Sequence, residues 1–225
     1  PMDRILLIVS IAAAVVYLIT SPWQPFPGDA ALKGMAVSPL ALLALQRLTG
    51  KRAWLLAVPL ALSAVGDVLL ALGNRFFLLG LAAFLVAHLV YINLFRSMWP
   101  KPVLLTPRML IGLVGLFGWS IALTVILLPK LDFSTGPAIP MYVGALTAMA
   151  ACAFPVATGN NWIVGGAILF VISDSLLGVN RFHTKLPNIG YVVWITYYLA
   201  QFCIFTGVAG FGVVRTGSSP SKSAS

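Results

Sequence analysis

The segment FVISDSLLGVNRF, residues 170–182, places an aspartate inside an apolar run. Eight of the nine residues before Asp174 are apolar or glycine, which is typical of a helix that lies in a membrane. The same order recurs in SAVGDVLLALGNRF, residues 63–76: a small residue, Asp67, one residue, two leucines, a short spacer and Asn-Arg-Phe. The recurrence predicts two similar helices with one carboxylate each, and it indicates a weak four-plus-four parallel repeat.

The composition of the whole chain is that of an integral membrane protein. Its 225 residues are 60% hydrophobic and 8% charged, whereas a soluble domain carries about 25% charged residues. The formal net charge of +9 arises from Lys and Arg residues in short loops, as membrane topology requires, and this explanation is favoured over a nucleic-acid partner.

Loop segments rich in Pro, Gly and Asn divide the chain into eight predicted transmembrane helices, so the expected fold class is an all-α integral membrane protein. We expect one eight-helix domain over residues 1–212 and a disordered tail over 213–225. The first segment is kept as a helix rather than a signal peptide, because no convincing cleavage site follows it. The predicted spans are 4–20, 31–47, 54–73, 76–96, 108–128, 138–157, 162–179 and 188–210.

With eight spans, both termini lie on the same side of the membrane. Nine Lys and Arg residues fall on that side and five on the other, so both termini are expected in the cytoplasm, and a bacterial chain would occupy the inner membrane. Asp67 and Asp174 then lie on parallel helices, roughly 8–9 Å below the non-cytoplasmic surface, because each residue advances a helix by about 1.5 Å. The pattern predicts two carboxylates at matched depth.

Ionisable side chains within a span are costly and therefore indicate function. Besides the aspartates, the spans hold Lys33 near an outer helix end and His88 deep in the fourth helix. Lys33 has two alternatives to a functional role, snorkelling to the interface and an ion pair with an aspartate. His88 is either functional or a satisfied structural residue. Arg181 follows Asp174 by seven residues, nearly two turns, and is expected above it on the same face.

Two carboxyl groups close together in a low dielectric do not both ionise easily, so one stays protonated near neutral pH. Such a pair divides acid and base work between its members. Three uses remain open at this point: hydrolysis through an oxocarbenium-like state, peptide hydrolysis by an aspartyl dyad, and proton-coupled transport.

Six segments together carry a resemblance to a known family: KGMAVSPL (33–40), SAVGDVLLAL (63–72), GLAAFLVAHLVYI (80–92), MYVGALTAMA (141–150), GGAILFVISDSLLGVNRF (165–182) and YYLAQF (197–202). In these segments the chain resembles the YhhN/TMEM86 family, whose characterised members are lysoplasmalogenases. In that family the lysine of the second helix is usually followed by Pro, where this chain has Gly34.

The resemblance implies an eight-helix membrane enzyme without a metal or organic cofactor. It also implies hydrolysis of the vinyl ether of a lysoplasmalogen, a lysophospholipid, to a fatty aldehyde and glycerophosphoethanolamine or glycerophosphocholine. Asp67 and Asp174 would be the catalytic pair, with Asp174 as the acid because Phe170, Val171 and Leu177 share its face. Lys33, Arg75 and Arg181 would meet the phosphate, and His88, Tyr91 and Tyr198 would line the pocket below. Tyr142, Asn180 and Gln201 complete the predicted substrate-binding residues.

Two rival functions use the same two aspartates. An intramembrane aspartyl protease is disfavoured, because Ala64 breaks the Gly-x-Gly-Asp motif before Asp67 and no Pro-Ala-Leu motif follows either aspartate. The alternative that we retain is a proton-coupled transporter of lipids or small molecules. Helices broken at mid-membrane would support it, but Pro39 and Pro59 do not adjoin the aspartates.

Overall fold

The computed structural model describes residues 2–157 and 161–210, and within them the chain forms eight α-helices and no strand. The predicted all-α class and the number of helices are therefore confirmed. The predicted tail over 213–225 lies outside the described residues. The helices are α1 (Met2–Thr20), α2 (Asp29–Arg47), α3 (Gly50–Ala71), α4 (Phe77–Ser97), α5 (Pro107–Leu127), α6 (Thr135–Ala153), α7 (Asn161–Gly178) and α8 (Ile189–Ala209).

Seven of these helices are long and apolar enough to cross a membrane, which makes the chain a multi-pass membrane protein. The exception is α2, which has 19 residues but is less hydrophobic, because Asp29, Lys33, Gln46 and Arg47 lie within it. It packs against α1, α3 and α8, and its Lys33 pairs with Asp67 of α3, whereas Gln46 and Arg47 are exposed. The predicted eight helices are therefore present, and seven of them qualify as membrane spans by length and hydropathy.

Helix α5 lies at the periphery of the bundle. Its outward side chains are strongly exposed, as Val114 at 74% illustrates, which suits contact with lipid. Two polar contacts hold it in place: the Trp119 indole N–H donates to Oγ of Ser175 in α7 at 2.9 Å, and the hydroxyls of Ser120 and Thr147 share a hydrogen bond to α6. These contacts place α5 beside the helix that carries Asp174.

Glycines allow the two aspartate-bearing helices to approach their successors closely. At Gly166 in α7, a Cβ would lie 2.8 Å from the Ala200 carbonyl oxygen of α8, and at Gly66 in α3 it would lie 2.6 Å from the Phe84 ring of α4. Small residues at such crossings bring backbones together where lipid provides no hydrophobic driving force between helices. The pairs α3–α4 and α7–α8 are accordingly among the most intimately packed in the bundle.

The local repeat seen in the sequence has a structural counterpart. Asn74–Phe76 forms a 3₁₀ turn after α3, and Val179–His183 forms a π-helical turn after α7, so each aspartate helix ends in a short irregular turn that carries Asn-Arg-Phe. The four-plus-four repeat over the whole chain stays a prediction. Pro39 and Pro59 lie inside continuous helices, so neither of these prolines breaks a span.

The crossing of α7 and α8 yields a prediction with a control one residue away. Gly166→Ala should lower the free energy of unfolding by about 1–3 kcal/mol, because the added methyl group overlaps the backbone of α8. Gly165→Ala should be neutral or slightly stabilising, since nothing lies within 4 Å of the position that its methyl group would take. Thermal unfolding of both variants in detergent measures the difference, and equal midpoints would refute the close packing.

Candidate active site

A cavity of about 330 Å³ opens where the ends of α1, α3, α5 and α7 meet the beginnings of α2, α4, α6 and α8. Asp67 and Asp174 both line it, so the two halves of the sequence repeat supply one carboxylate each to the same space. One wall of the cavity is apolar and includes Leu123 and Leu127 of α5 and Val143 of α6. The cavity therefore combines a polar region around the carboxylates with a hydrocarbon-like surface beside them.

The carboxylate of Asp67 is the more completely paired of the two. Its Oδ1 lies 3.7 Å from Nζ of Lys33, and its Oδ2 accepts a 2.6 Å hydrogen bond from the Tyr197 hydroxyl. The side chain of Asp67 is only 3% exposed, so this ion pair compensates a charge that water barely reaches. Of the alternatives that the sequence left open for Lys33, the ion pair is the one found.

Lys33 reaches Asp67 because α2 and α3 approach each other closely. A Cβ at Gly34 would lie 2.8 Å from Val68 Cγ2, one residue beyond Asp67. The ammonium group of Lys33 also lies 5.9 Å from the Tyr17 ring centroid and 5.8 Å from that of Trp194, within cation–π range. Gly34, the position where this chain departs from the usual family proline, thus forms part of the close helix contact that brings the lysine to the carboxylate.

Asp174 has different partners. Its Oδ2 accepts a short hydrogen bond from the Tyr142 hydroxyl, and Nε2 of His88 lies 4.0 Å from the same oxygen. Within residues 2–157 and 161–210, no lysine or arginine forms an ion pair with it. The two carboxylates of the cavity therefore differ in charge compensation: one faces an ammonium group and the other does not.

The mouth of the cavity brings the two Asn-Arg-Phe segments into contact. Nη1 of Arg181 donates a 2.7 Å hydrogen bond to Oδ1 of Asn74, and both residues line the cavity. Asn180 also lines it, while its side-chain oxygen accepts the Leu186 N–H at 3.0 Å and fixes the following loop. Lys185, which the sequence analysis did not select, adds a further positive charge at this rim.

Arg75 does not line the cavity, which differs from the expected position beside Arg181 at its rim. Its guanidinium group lies over the Phe76 ring, 4.6 Å from the centroid. The physical reason is the 3₁₀ turn of Asn74–Phe76, which presents Asn74 to the cavity and directs the next side chain elsewhere. The first repeat therefore contributes only the Asn of its Asn-Arg-Phe segment to the cavity wall, whereas the second contributes all three residues.

Four further predicted residues surround the cavity without lining it, contrary to expectation. His88 is fully buried, edge-on to the rings of Tyr142 and Phe170. Tyr198 instead shares a 2.8 Å hydrogen bond with Ser10 of α1. The other two, Tyr91 and Gln201, are bonded to each other in the bundle interior.

Tyr197, like Lys185, lines the cavity but was not predicted from the sequence. It lines the cavity and contacts a carboxylate, whereas its neighbour Tyr198 points to another helix, because successive side chains on a helix are rotated by about 100°. A signal was present in the sequence: Tyr197 precedes Gln201 by four residues and shares its helix face.

Comparison with known proteins supports the resemblance noted in the sequence. The sequence model of the YhhN family matches residues 28–208, which is most of the chain. A Mycobacterium bovis protein named lysoplasmalogenase is 32% identical over 208 residues, covering 86% of this chain and 76% of that protein.

Two eukaryotes also hold similar proteins. The pig protein named lysoplasmalogenase TMEM86B is 35% identical over 149 residues, covering 65% of this chain and 60% of the relative. A Dictyostelium discoideum protein named lysoplasmalogenase homolog is 30% identical over 192 residues, covering 69% of this chain and 63% of that protein. No solved structure matches the chain.

The ion pair at Asp67 gives a prediction about stability. Lys33→Met should lower the free energy of unfolding by up to about 3 kcal/mol, because it leaves a buried carboxylate without its countercharge. Adding Asp67→Asn to that variant should recover much of the loss, since the uncompensated charge is then removed. Thermal unfolding in detergent, with the exposed Lys51→Met as the control, measures both changes. A double variant less stable than Lys33→Met alone would contradict the pairing.

Proposed function

As the chain belongs to the YhhN family, we propose that it is a membrane-embedded hydrolase that cleaves the vinyl ether bond of lysoplasmalogens. The products would be a fatty aldehyde and glycerophosphoethanolamine or glycerophosphocholine. The relatives named lysoplasmalogenase support the reaction. The observation that carries the mechanism is the meeting of Asp67 and Asp174 in one cavity, with an ammonium group beside only one of them.

The shape and charge of the cavity suit a lysolipid. Arg181 and Lys185 stand at its mouth, where a phosphate would be held, and guanidinium groups bind phosphate through paired hydrogen bonds. The alkenyl chain would lie against the apolar wall that includes Leu127 and Val143. The vinyl ether, which joins the two parts of the lipid, would then lie between them beside the carboxylates.

The first chemical step is proton transfer to carbon. We assign the acid to Asp174, because no lysine or arginine among the described residues forms an ion pair with it, whereas Lys33 stabilises the ionised form of Asp67. The carboxyl proton of Asp174 goes to the β carbon of the vinyl ether, and the electron pair of the double bond forms the new C–H bond. The α carbon becomes an oxocarbenium ion, which the carboxylate of Asp67 stabilises.

The second and third steps restore both aspartates. Asp67 accepts a proton from water as the water oxygen bonds to the α carbon, which gives a hemiacetal. In its collapse, Asp67 returns that proton to the departing glycerol oxygen, and Asp174 takes the hemiacetal hydroxyl proton as the aldehyde forms. Asp174 is again protonated and Asp67 again ionised, so the net reaction consumes one water and no proton.

We propose an orientation for the site from the charge count of the loops. With both termini in the cytoplasm, the cavity mouth opens toward the non-cytoplasmic side, because it lies at the end of the bundle opposite Met2 and Ala209. The retained alternative, a proton-coupled transporter, has no comparable support, since the two prolines that lie within α2 and α3 leave those helices continuous.

The reaction is tested by aldehyde release from an alkenyl lysophosphoethanolamine. The purified protein in detergent should release fatty aldehyde, and Asp67→Asn and Asp174→Asn should each lower kcat by a factor of about 100 or more, the usual contribution of a positioned acid or base. Asp29→Asn, which alters an aspartate outside the cavity, should have little effect.

Each alternative outcome is distinct. Release that survives both substitutions would leave the hydrolase and overturn the two-aspartate mechanism. A folded protein that binds the lysolipid without releasing aldehyde, and that takes it up into vesicles, would overturn the hydrolase in favour of transport.

The phosphate contact is tested by comparing two arginines from equivalent positions of the repeat. Arg181→Ala should raise KM about tenfold, which corresponds to losing one charge-assisted hydrogen bond, and should leave kcat nearly unchanged. Arg75→Ala should leave both constants near their wild-type values, since Arg75 does not line the cavity. An unchanged KM in Arg181→Ala would show that the phosphate is held elsewhere.

A further inference from the structure

A chain of three hydrogen bonds runs from Asp67 into the interior of the bundle. The Tyr197 hydroxyl donates to Oδ2 of Asp67 at 2.6 Å, Nε2 of Gln201 donates to the Tyr197 oxygen at 3.4 Å, and the Tyr91 hydroxyl donates to Oε1 of Gln201 at 2.7 Å. This chain of hydrogen bonds joins α3, α8 and α4. Its distal members, Tyr91 and Gln201, do not line the cavity and therefore do not touch substrate there.

The three hydrogen bonds have a single consistent donor-to-acceptor direction. Tyr197 has one hydroxyl hydrogen, and its contact with Asp67 is much shorter than its contact with Gln201, so that hydrogen points at the carboxylate. Gln201 must then present its NH₂ group to Tyr197 and its oxygen to the far side. There it meets the hydroxyl of Tyr91, which supplies the hydrogen that the oxygen requires.

Burial makes this direction hard to reverse. Tyr91 and Gln201 are 0% exposed and Tyr197 is 4% exposed, so solvent does not replace a lost partner for any of them. The Tyr91 ring is held by stacking on Phe95, with centroids 5.7 Å apart. A buried polar chain whose members satisfy one another in this way fixes the orientation of each hydrogen.

We propose that Tyr91 and Gln201 are positioning residues that orient the Tyr197 hydroxyl toward Asp67 and so hold Asp67 as the acceptor carboxylate of the catalytic pair. This inference rests on the proposed hydrolase function and extends it by two residues outside the cavity. Lys33 at Oδ1 and Tyr197 at Oδ2 occupy both oxygens of Asp67 with donors, which leaves Asp174 to carry the proton.

The role of Tyr91 depends on the two faces of the Gln201 amide. Without the Tyr91 hydroxyl, Oε1 of Gln201 would be buried with no donor, which is unfavourable. A half-turn of the amide would satisfy it by turning Oε1 toward Tyr197, whose hydrogen would then be drawn away from Asp67. Tyr91 thus acts through Gln201. Substituting Tyr91 should therefore have no effect on kcat in a variant that lacks the Gln201 amide.

The test is a double-mutant cycle on aldehyde release from an alkenyl lysophosphoethanolamine. Tyr91→Phe should lower kcat about tenfold, the effect of misdirecting one hydrogen bond, with KM unchanged. In a Gln201→Met background, which keeps the side-chain length and removes the amide, the same substitution should change kcat by less than about twofold. Ser120→Ala is the control: it removes a buried hydroxyl in α5, outside these three hydrogen bonds. It should leave kcat unchanged, with a thermal unfolding midpoint similar to that of Tyr91→Phe.

A purely structural role for Tyr91 gives the opposite pattern. The effects of Tyr91→Phe and Gln201→Met would then multiply, and each loss of kcat would follow the loss of folded protein in thermal unfolding. That pattern would overturn the proposal. If Gln201→Met fails to fold, Tyr197→Phe serves as the background instead, because Tyr91 should equally have no effect when the Tyr197 hydroxyl is missing.

An infrared measurement separates this inference from the proposed function. The carboxylate stretching band of Asp67, identified by its loss in Asp67→Asn, should shift in Tyr91→Phe because the Tyr197 hydrogen bond weakens. If the wild-type protein releases no aldehyde but the band shifts in Tyr91→Phe, the hydrolase is overturned and the positioning role of Tyr91 and Gln201 is kept. An unshifted band would overturn the positioning chain whatever the activity.

Discussion

The buried carboxylate of Asp67 is the constraint around which the bundle is arranged. A charge with 3% side-chain exposure in an apolar interior is tolerated only when other groups replace the water it has lost. Lys33 of α2 and Tyr197 of α8 supply the replacement, so the neighbouring helices α2 and α3 must meet the distant α8 at one point. This requirement explains one of the charged residues that lower the hydropathy of α2, because Lys33 of that helix compensates the charge of Asp67.

Close helix crossings make that meeting geometrically feasible. Gly34 brings α2 against α3 next to Asp67, and Gly166 brings α7 against α8, so Asp174 and Tyr197 reach the same cavity. Lipid gives helices no hydrophobic reason to associate, so packing at small residues and polar contacts must hold them together. The residues that position the site are therefore in large part residues without reactive side chains.

The two aspartates come from a repeated segment, yet their surroundings have diverged. Asp67 faces an ammonium group and a tyrosine, and Asp174 faces a tyrosine and an imidazole at 4.0 Å. The turns that follow differ too, one 3₁₀ and one π-helical, so that Asn74 from one repeat meets Arg181 from the other. This asymmetry supports an assignment of different chemical roles to two residues that the sequence presents as equivalents.

The sequence by itself determined the membrane class, the eight helices and the pair of aspartates. The length of an apolar run and an isolated charge within it are local properties, so both can be read directly from the linear sequence. It also predicted Arg181 on the same helix face as Asp174, from a spacing of seven, and both residues line the cavity. Only the tertiary structure decided that Lys33 pairs with Asp67, that Tyr197 rather than Tyr198 reaches the site, and that Tyr91 and Gln201 stand behind it. These assignments depend on how each helix is rotated toward its neighbours. That rotation is set by contacts between distant segments, such as those at Gly34 and Gly166, and no local pattern records it.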